Sequence, residues 1–137
     1  MYLLDTNVVS ELRRPRPHGA LLAWLETVQD HDLYVSAVTI GEIQSGVEIT
    51  REQDEAKAAA IEAWLDEVAG TYNVLSMDAR TFRVWARLMH RRTDDLIEDA
   101  MIAATAAVHH LTVVTRNFRD FERLGALTLN PFAMKAR

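Results

Sequence analysis

Acidic residues that lie far apart in a chain do chemistry only when the fold gathers them, and Asp5, Glu42 and Asp99 stand where a fold could do so. Asp5 opens the polar triplet Asp5-Thr6-Asn7 directly after the apolar run Tyr2-Leu3-Leu4. Glu42 lies in the polar stretch that begins at Thr39, and the pair Glu98-Asp99 interrupts a segment otherwise suited to burial. A fourth polar cluster, Thr115-Arg116-Asn117, follows the apolar run from Leu111, with Asp120 close behind. An ionised carboxylate taken out of water costs several kcal/mol or takes up a proton, and a neighbouring carboxylate raises that cost. Arg116 is the one cation close in sequence to these clusters, so a hard divalent ion is the more economical compensation. With no cysteine in the chain the ligands must be oxygen or histidine, and an oxygen-only set selects Mg²⁺ or Mn²⁺ over zinc. Mg²⁺ keeps several waters, which leaves water available as a nucleophile against a phosphodiester.

Each residue also has a plainer reading. Asp5 after a strand is often only a helix cap, and Glu42 taken alone reads as a solvated helix residue. Asp99 could belong to an acidic surface face with Asp95 and Glu98, while Asn117 and Asp120 could simply cap a turn. His109-His110 ends a helix, where the dipole favours histidine, and is read as structural.

The elements that would position these residues are legible from periodicity. Tyr2-Leu4, Leu33-Val35, Tyr72-Leu75, Leu111-Thr115 and Leu127-Leu129 read as five strands. Between them lie helical patterns. Leu21, Leu22, Leu25 and Val28 repeat at helical spacing after the breaker Pro15-Arg16-Pro17, and Ser36 or Thr39 could cap a helix carrying Ile40, Ile43 and Val47. Ala56 to Ala69 is alanine-rich with Ile61, Trp64, Leu65 and Val68 in phase; Phe82, Trp85, Ala86 and Met89 define an apolar face after Asp78; Leu96 to His109 is a strongly apolar helix. Strands alternating with helices imply an α/β fold, a three-layer α/β/α sandwich on a mostly parallel sheet of about five strands, in one domain over residues 1–137. In such sheets ligands bind outside the carboxyl ends of the strands, where Asp5, Thr39–Glu42 and Thr115–Asn117 all fall.

The formal charge of −5 argues against a general nucleic-acid coating protein. Its distribution says more, because thirteen of the fifteen basic residues are arginine. Arg13, Arg83, Arg87, Arg91 and Arg116 are the arginines assigned to RNA or partner contact, since the guanidinium fork matches phosphate oxygens; the alternative for the Arg80-Arg83-Arg87-Arg91 stripe is a solvated face. No run of about 18 apolar residues occurs and no basic leader precedes an apolar stretch, so no membrane role is expected and the cytoplasm is the expected compartment.

The start Met1-Tyr-Leu-Leu-Asp-Thr-Asn-Val-Val-Ser-Glu-Leu12, the stretch Ser36-Ala-Val-Thr-Ile-Gly-Glu-Ile-Gln-Ser-Gly46, the helix Asp99-Ala-Met-Ile-Ala-Ala-Thr-Ala106 and the strand end Thr115-Arg-Asn-Phe-Arg-Asp-Phe121 together resemble the PIN domain. They are more closely similar to the VapC and FitB toxins of bacterial type II toxin–antitoxin modules, in order and over essentially the whole chain. The resemblance implies an endoribonuclease dependent on Mg²⁺, with Mn²⁺ able to substitute, a homodimer, and inhibition by a VapB-like antitoxin through which alone DNA would be contacted. Carried over residue by residue, Asp5, Glu42 and Asp99 match the three core acidic positions, with Asp5 and Asp99 as direct metal ligands and Glu42 binding the metal or holding water. The fourth position, often Asp in the family, is Asn117, which removes one charge; Asp120 could stand in for it. Thr6 and Thr115 match polar positions that orient ligands or water, and Arg91-Arg92-Thr93-Asp94-Asp95 replaces a loop that often contains glycine. Leu12, Trp24 and Val47 could host the antitoxin's apolar anchors or could be ordinary core.

Two other classes compete with this reading. An aspartyl-phosphate enzyme would use Asp5 as nucleophile, but a haloacid-type phosphatase wants Asp where Asn7 stands. A receiver-like domain wants a lysine after a late strand, and the only lysines are Lys57 and Lys135. A catalytically weak binding module acting through an antitoxin–operator complex is made thinkable by Asn117 and opposed by the complete Asp5, Glu42, Asp99 set.

Overall fold

The computed structural model describes residues 1–133; residues 134–137, Lys135 and the end of the expected domain among them, lie outside the description. The described strands are β1 (Tyr2–Leu4), β2 (Leu33–Ser36), β3 (Asn73–Leu75), β4 (Thr112–Val114) and β5 (Thr128–Leu129). The helices are α1 (Thr6–Glu11), α2 (Gly19–Glu26), α3 (Ala37–Arg51), α4 (Glu55–Thr71), α5 (Ala79–Met89), α6 (Ile97–His109) and α7 (Phe118–Arg123). The sheet order is β3-β2-β1-β4-β5 with every pairing parallel. The five expected strands and the layered α/β architecture are therefore present, each strand within about a residue or two of its sequence-read limits.

Strand alternation builds two cores from one short sheet. Leu3 and its partner Val113 face one side with Ile102, Ala103 and Phe121, while Leu4, paired with Val35 and Val114, faces the other with Val8, Val9, Leu21 and Trp24. Because both faces are covered, β1 and β4 need apolar residues at consecutive positions, which is why they read as unbroken apolar runs. Helices α1 to α4 thus form one layer and α5 to α7 the other. A third cluster, Val47, Ala58 and Ile61, closes α3 on α4.

One sequence expectation fails here, and one open alternative is decided. Phe82 and Ala86 belong to the apolar face that periodicity defines on α5, yet Phe82 is 45% exposed and Ala86 is exposed as well. The helix is instead turned so that Thr81 is buried, Trp85, Leu88 and Met89 pack on the core, and the Trp85 indole N–H donates to the Ile97 carbonyl at 3.2 Å. An indole N–H inside a protein needs an acceptor, and meeting that need fixes the rotation of α5 and ties it to the start of α6. Of the residues that read either as partner anchors or as core, Trp24 and Val47 are 7% and 0% exposed and belong to the core.

Candidate active site

Strand order reverses direction around β1, which has β2 on one side and β4 on the other, and this is the position where an open parallel sheet leaves a crevice at its carboxyl edge. Asp5 sits in that crevice. Its backbone N–H continues the sheet ladder by donating to the Val114 carbonyl at 3.0 Å, and its carbonyl accepts from Val8 and Val9 to start α1. The side chain does two jobs. Oδ1 accepts from the Thr6 N–H at 2.7 Å as the α1 cap, and Oδ2 accepts from the Thr115 hydroxyl at 2.9 Å. The plain capping role and the site role thus belong to one residue. At 3% exposure, with both oxygens held, Asp5 is poorly disposed to become a phosphoryl acceptor, which counts against the aspartyl-phosphate alternative.

Glu42 arrives from α3, whose cap is Ser36, its hydroxyl accepting from the Val38 N–H. The Thr6 hydroxyl donates to Glu42 Oε1 at 3.0 Å and lies 2.8 Å from the Thr39 hydroxyl. A hydroxyl has one proton, so with Thr6 donating to Glu42 the Thr39 hydroxyl is the donor to Thr6. Asp99 sits in the first turn of α6. The Asn117 side-chain amide donates to Asp120 Oδ2 at 3.0 Å and makes a longer contact of 3.4 Å with Asp99 Oδ2. Thr115 links the halves, because its buried hydroxyl donates to Asp5 while accepting from the Asn117 N–H at 2.9 Å. Where a fourth carboxylate would add repulsion, Asn117 thus contributes N–H groups, and its amide also ties Asp120 to the edge of the cluster.

These carboxylates perturb one another. Burial is the main cause that pushes Asp99 up to about 6, and the charges of Asp5, Asp120, Glu42 and Glu98 push the same way. Burial also raises Asp5, against the opposing hydrogen bonds from Thr115 and Thr6. Glu42 is raised by burial, relieved in part by the Thr6 hydrogen bond and raised further by Glu98 and Asp5. Among the described residues no lysine or arginine forms an ion pair with Asp5, Glu42 or Asp99. Nor, among the described residues, are three or more His, Asp or Glu side chains placed together closely enough to hold a metal ion between them. Hard carboxylate oxygens, mutual repulsion and an open arrangement fit a hard cation that binds one or two carboxylates and keeps its waters, and they do not fit a dedicated cage such as structural zinc requires.

Thr115 holds two partners that burial leaves without substitutes. Thr115→Val is expected to lower stability by about 1–3 kcal/mol, seen as a reduced urea midpoint with unchanged slope.

Of the arginines expected to contact RNA or a partner, two border the site. Arg13 and Arg116 line a cavity of about 570 Å³ together with Asn117, and Arg13 also lines the adjoining groove that contains Thr6 and Glu42. Arg83, Arg87 and Arg91 line neither; Arg87 borders a separate depression with Ala86 and His90. The stripe on α5 is exposed and lies apart from both hollows. Glu98, Ser10 and Phe132 enter the site region without having been proposed for it. Only Glu98 carried a sequence signal, its adjacency to Asp99; Ser10 and Phe132 reach the region through the docking of α1 and of the chain after β5.

The PIN domain family model matches residues 2–127. Toxin FitB of Neisseria gonorrhoeae is 32% identical over 96% of this chain and 99% of its own length. The VapC ribonuclease Y4jK of Sinorhizobium fredii is 34% identical over 96% of this chain and 98% of its own. A crystal structure of FitAcB from Neisseria gonorrhoeae superposes with a TM-score of 0.85 at 31% identity, covering 98% of this chain and 100% of that one. A family match over nearly the whole chain, similarity of this extent and a shared fold lead to one conclusion: this chain belongs to the PIN domain family.

Proposed function

We propose that this single-domain chain is the toxin of a type II toxin–antitoxin module and acts as an endoribonuclease dependent on Mg²⁺ or Mn²⁺. The observation that most supports the reading is the hydrogen-bond network that joins Asp5, Glu42 and Asp99 through Thr6, Thr115 and Asn117, with each carboxyl raised above its ordinary pKa. The ribonuclease and toxin names of relatives that match nearly end to end support the same activity. When bound, the divalent ion would supply Lewis acidity toward water and toward the phosphoryl oxygens. Asp5 and Asp99 would hold it. Thr115 and Thr6 fix the Asp5 carboxylate in place. Glu42, with Oε1 tied to Thr6, keeps Oε2 for a hydrogen bond to the attacking water or for the ion itself. Asn117 and Asp120 act on Asp99, the amide aiming its N–H groups at both carboxylates.

A VapB-like antitoxin would inhibit by bringing a basic side chain to this acidic cluster. A groove between α1, α3 and α4, where the partly buried Ile43 and Trp64 reach the surface beside Glu42, offers it apolar contact in place of the buried Trp24 and Val47. Among the described residues no helix is long and apolar enough to cross a membrane.

Metal dependence is the test. Purified protein should cleave at least one of transfer, ribosomal or messenger RNA in Mg²⁺, lose the activity in EDTA and regain it with excess Mg²⁺ or Mn²⁺. Absence of metal-dependent cleavage across all three would favour the binding-module alternative.

A further inference from the structure

The cavity beside the carboxylates is basic where the catalytic crevice is acidic. Its volume of about 570 Å³ falls within the roughly 300–1,000 Å³ typical of small-molecule sites. One wall is Asn117, which touches Asp99 and, through Thr115, is joined to Asp5. Ser10 and Arg13 form the ridge it shares with the groove that contains Glu42. A chain crossing the acidic crevice therefore passes directly into this cavity.

Two different recognition chemistries are present inside it. Arg13 and Arg14 are exposed side chains of the segment that follows α1, and Arg14 is held at 3.8 Å by Glu11, a carboxylate only 8% exposed. That pair leaves most of the Arg14 fork, and the whole of Arg13, to meet an anion. Also lining the cavity, the Arg116 guanidinium lies 3.7 Å above the centre of the Phe132 ring. Phe132 is itself fixed by the edge-on His18 ring at 5.2 Å. One face of the guanidinium is thereby occupied, while Arg116 as a residue stays exposed. A planar cation held on an aromatic ring, on an exposed residue that lines a cavity, can serve as a stacking platform for a nucleobase.

We propose that this cavity is the subsite for the nucleotide flanking the scissile phosphodiester of single-stranded RNA, its base stacked on Arg116 and its phosphate held by Arg13 and Arg14. The assignment rests on the ribonuclease reading above and extends it to the substrate class, because only an unpaired, splayed base reaches such a platform.

The test separates the subsite from the chemistry by measuring binding without cleavage. Anisotropy of fluorescein-labelled, short single-stranded RNA of random sequence is titrated with the full chain in EDTA. Arg116→Ala is expected to weaken binding by roughly 5- to 150-fold, the range of one lost base stack. Arg116→Lys should be nearly as weak, since it keeps the charge and loses the plane. Arg13→Ala combined with Arg14→Ala should weaken binding and flatten its salt dependence by about 0.7 for each phosphate released. An equivalent duplex RNA should bind the wild type and Arg116→Ala equally. Full binding by Arg116→Lys, or RNA binding unchanged in every variant, overturns the subsite, and metal-dependent cleavage by the wild type in the same preparations would leave the ribonuclease reading standing. Loss of antitoxin-peptide binding with RNA binding intact would assign the cavity to a protein partner and also overturn the proposal.

Discussion

Asp5→Asn is expected to reduce metal-dependent RNA cleavage by at least about 10³-fold while the protein stays folded, since loss of a metal-held charge removes several kcal/mol of transition-state stabilisation. The fold should survive because the amide can serve both structural contacts. Its carbonyl can accept from the Thr6 N–H, and its NH₂ can donate to the Thr115 oxygen once that hydroxyl rotates. Removing the charge from a position 3% exposed also relieves desolvation and the repulsion felt by Glu42 and Asp99. Cleavage rates with a fixed RNA, alongside circular dichroism and a thermal melt, check the prediction. Wild-type cleavage by a folded Asp5→Asn protein would remove Asp5 from the chemistry.

Asp99→Asn should show an inversion that a merely structural residue would not. In the folded protein the Asp99 carboxyl is raised from the ordinary 3.8 to about 6, chiefly by burial. Between those values the folded state binds more protons than the unfolded one, so wild-type stability falls as pH rises through that interval, and the full penalty is present above it. Asparagine carries no such penalty. In EDTA the variant should therefore gain on the wild type from pH 4 to 6 and hold a constant advantage above. A shift of about two units corresponds to roughly 3 kcal/mol, which solvent screening at a half-buried site reduces to about 1–2 kcal/mol, or about 3–6 °C in Tm. In saturating Mg²⁺ the order should reverse, because the wild type gains the free energy of ion binding and the variant forfeits most of it. Cleavage should fall as steeply as for Asp5→Asn. Thermal melts from pH 4 to 8, with and without Mg²⁺, read all of this; a variant less stable than the wild type in EDTA at pH 7 would contradict it.

What could be read from the chain without coordinates follows a physical rule. Leu3-Leu4 and Val113-Val114 announce themselves because a strand covered on both faces has no polar alternation, and Asp5 and Thr115 mark where those runs end. The carboxyl-edge location of the site followed from that. Contacts that close the site were not legible: the Thr39-Thr6-Glu42 relay and the Asn117 bridge to Asp99 and Asp120 join residues whose sequence order says nothing of their approach. Phe82 was misplaced because helical periodicity fixes which residues share a face and leaves open which face turns inward; the Trp85 bond to Ile97 decides that. The arginines divide likewise. Arg83, Arg87 and Arg91 looked as suited to phosphate as Arg13 and Arg116, and only the placement of α5 on the side of the sheet opposite α1 separates them.

The most direct measurement is Mn²⁺ titration calorimetry of the intact protein and its Asp5→Asn, Glu42→Gln and Asp99→Asn variants, run at pH 6 and pH 8 in buffers of different ionisation enthalpy. If the three side chains share one cation, the wild type shows a saturable site that each variant weakens. Binding should also release a fraction of a proton at pH 6 and almost none at pH 8, because the ion displaces the proton that Asp99 retains near pH 6. Mn²⁺ affinity unchanged in all three variants, or proton release indifferent to pH, would contradict the convergence on which the active site is built.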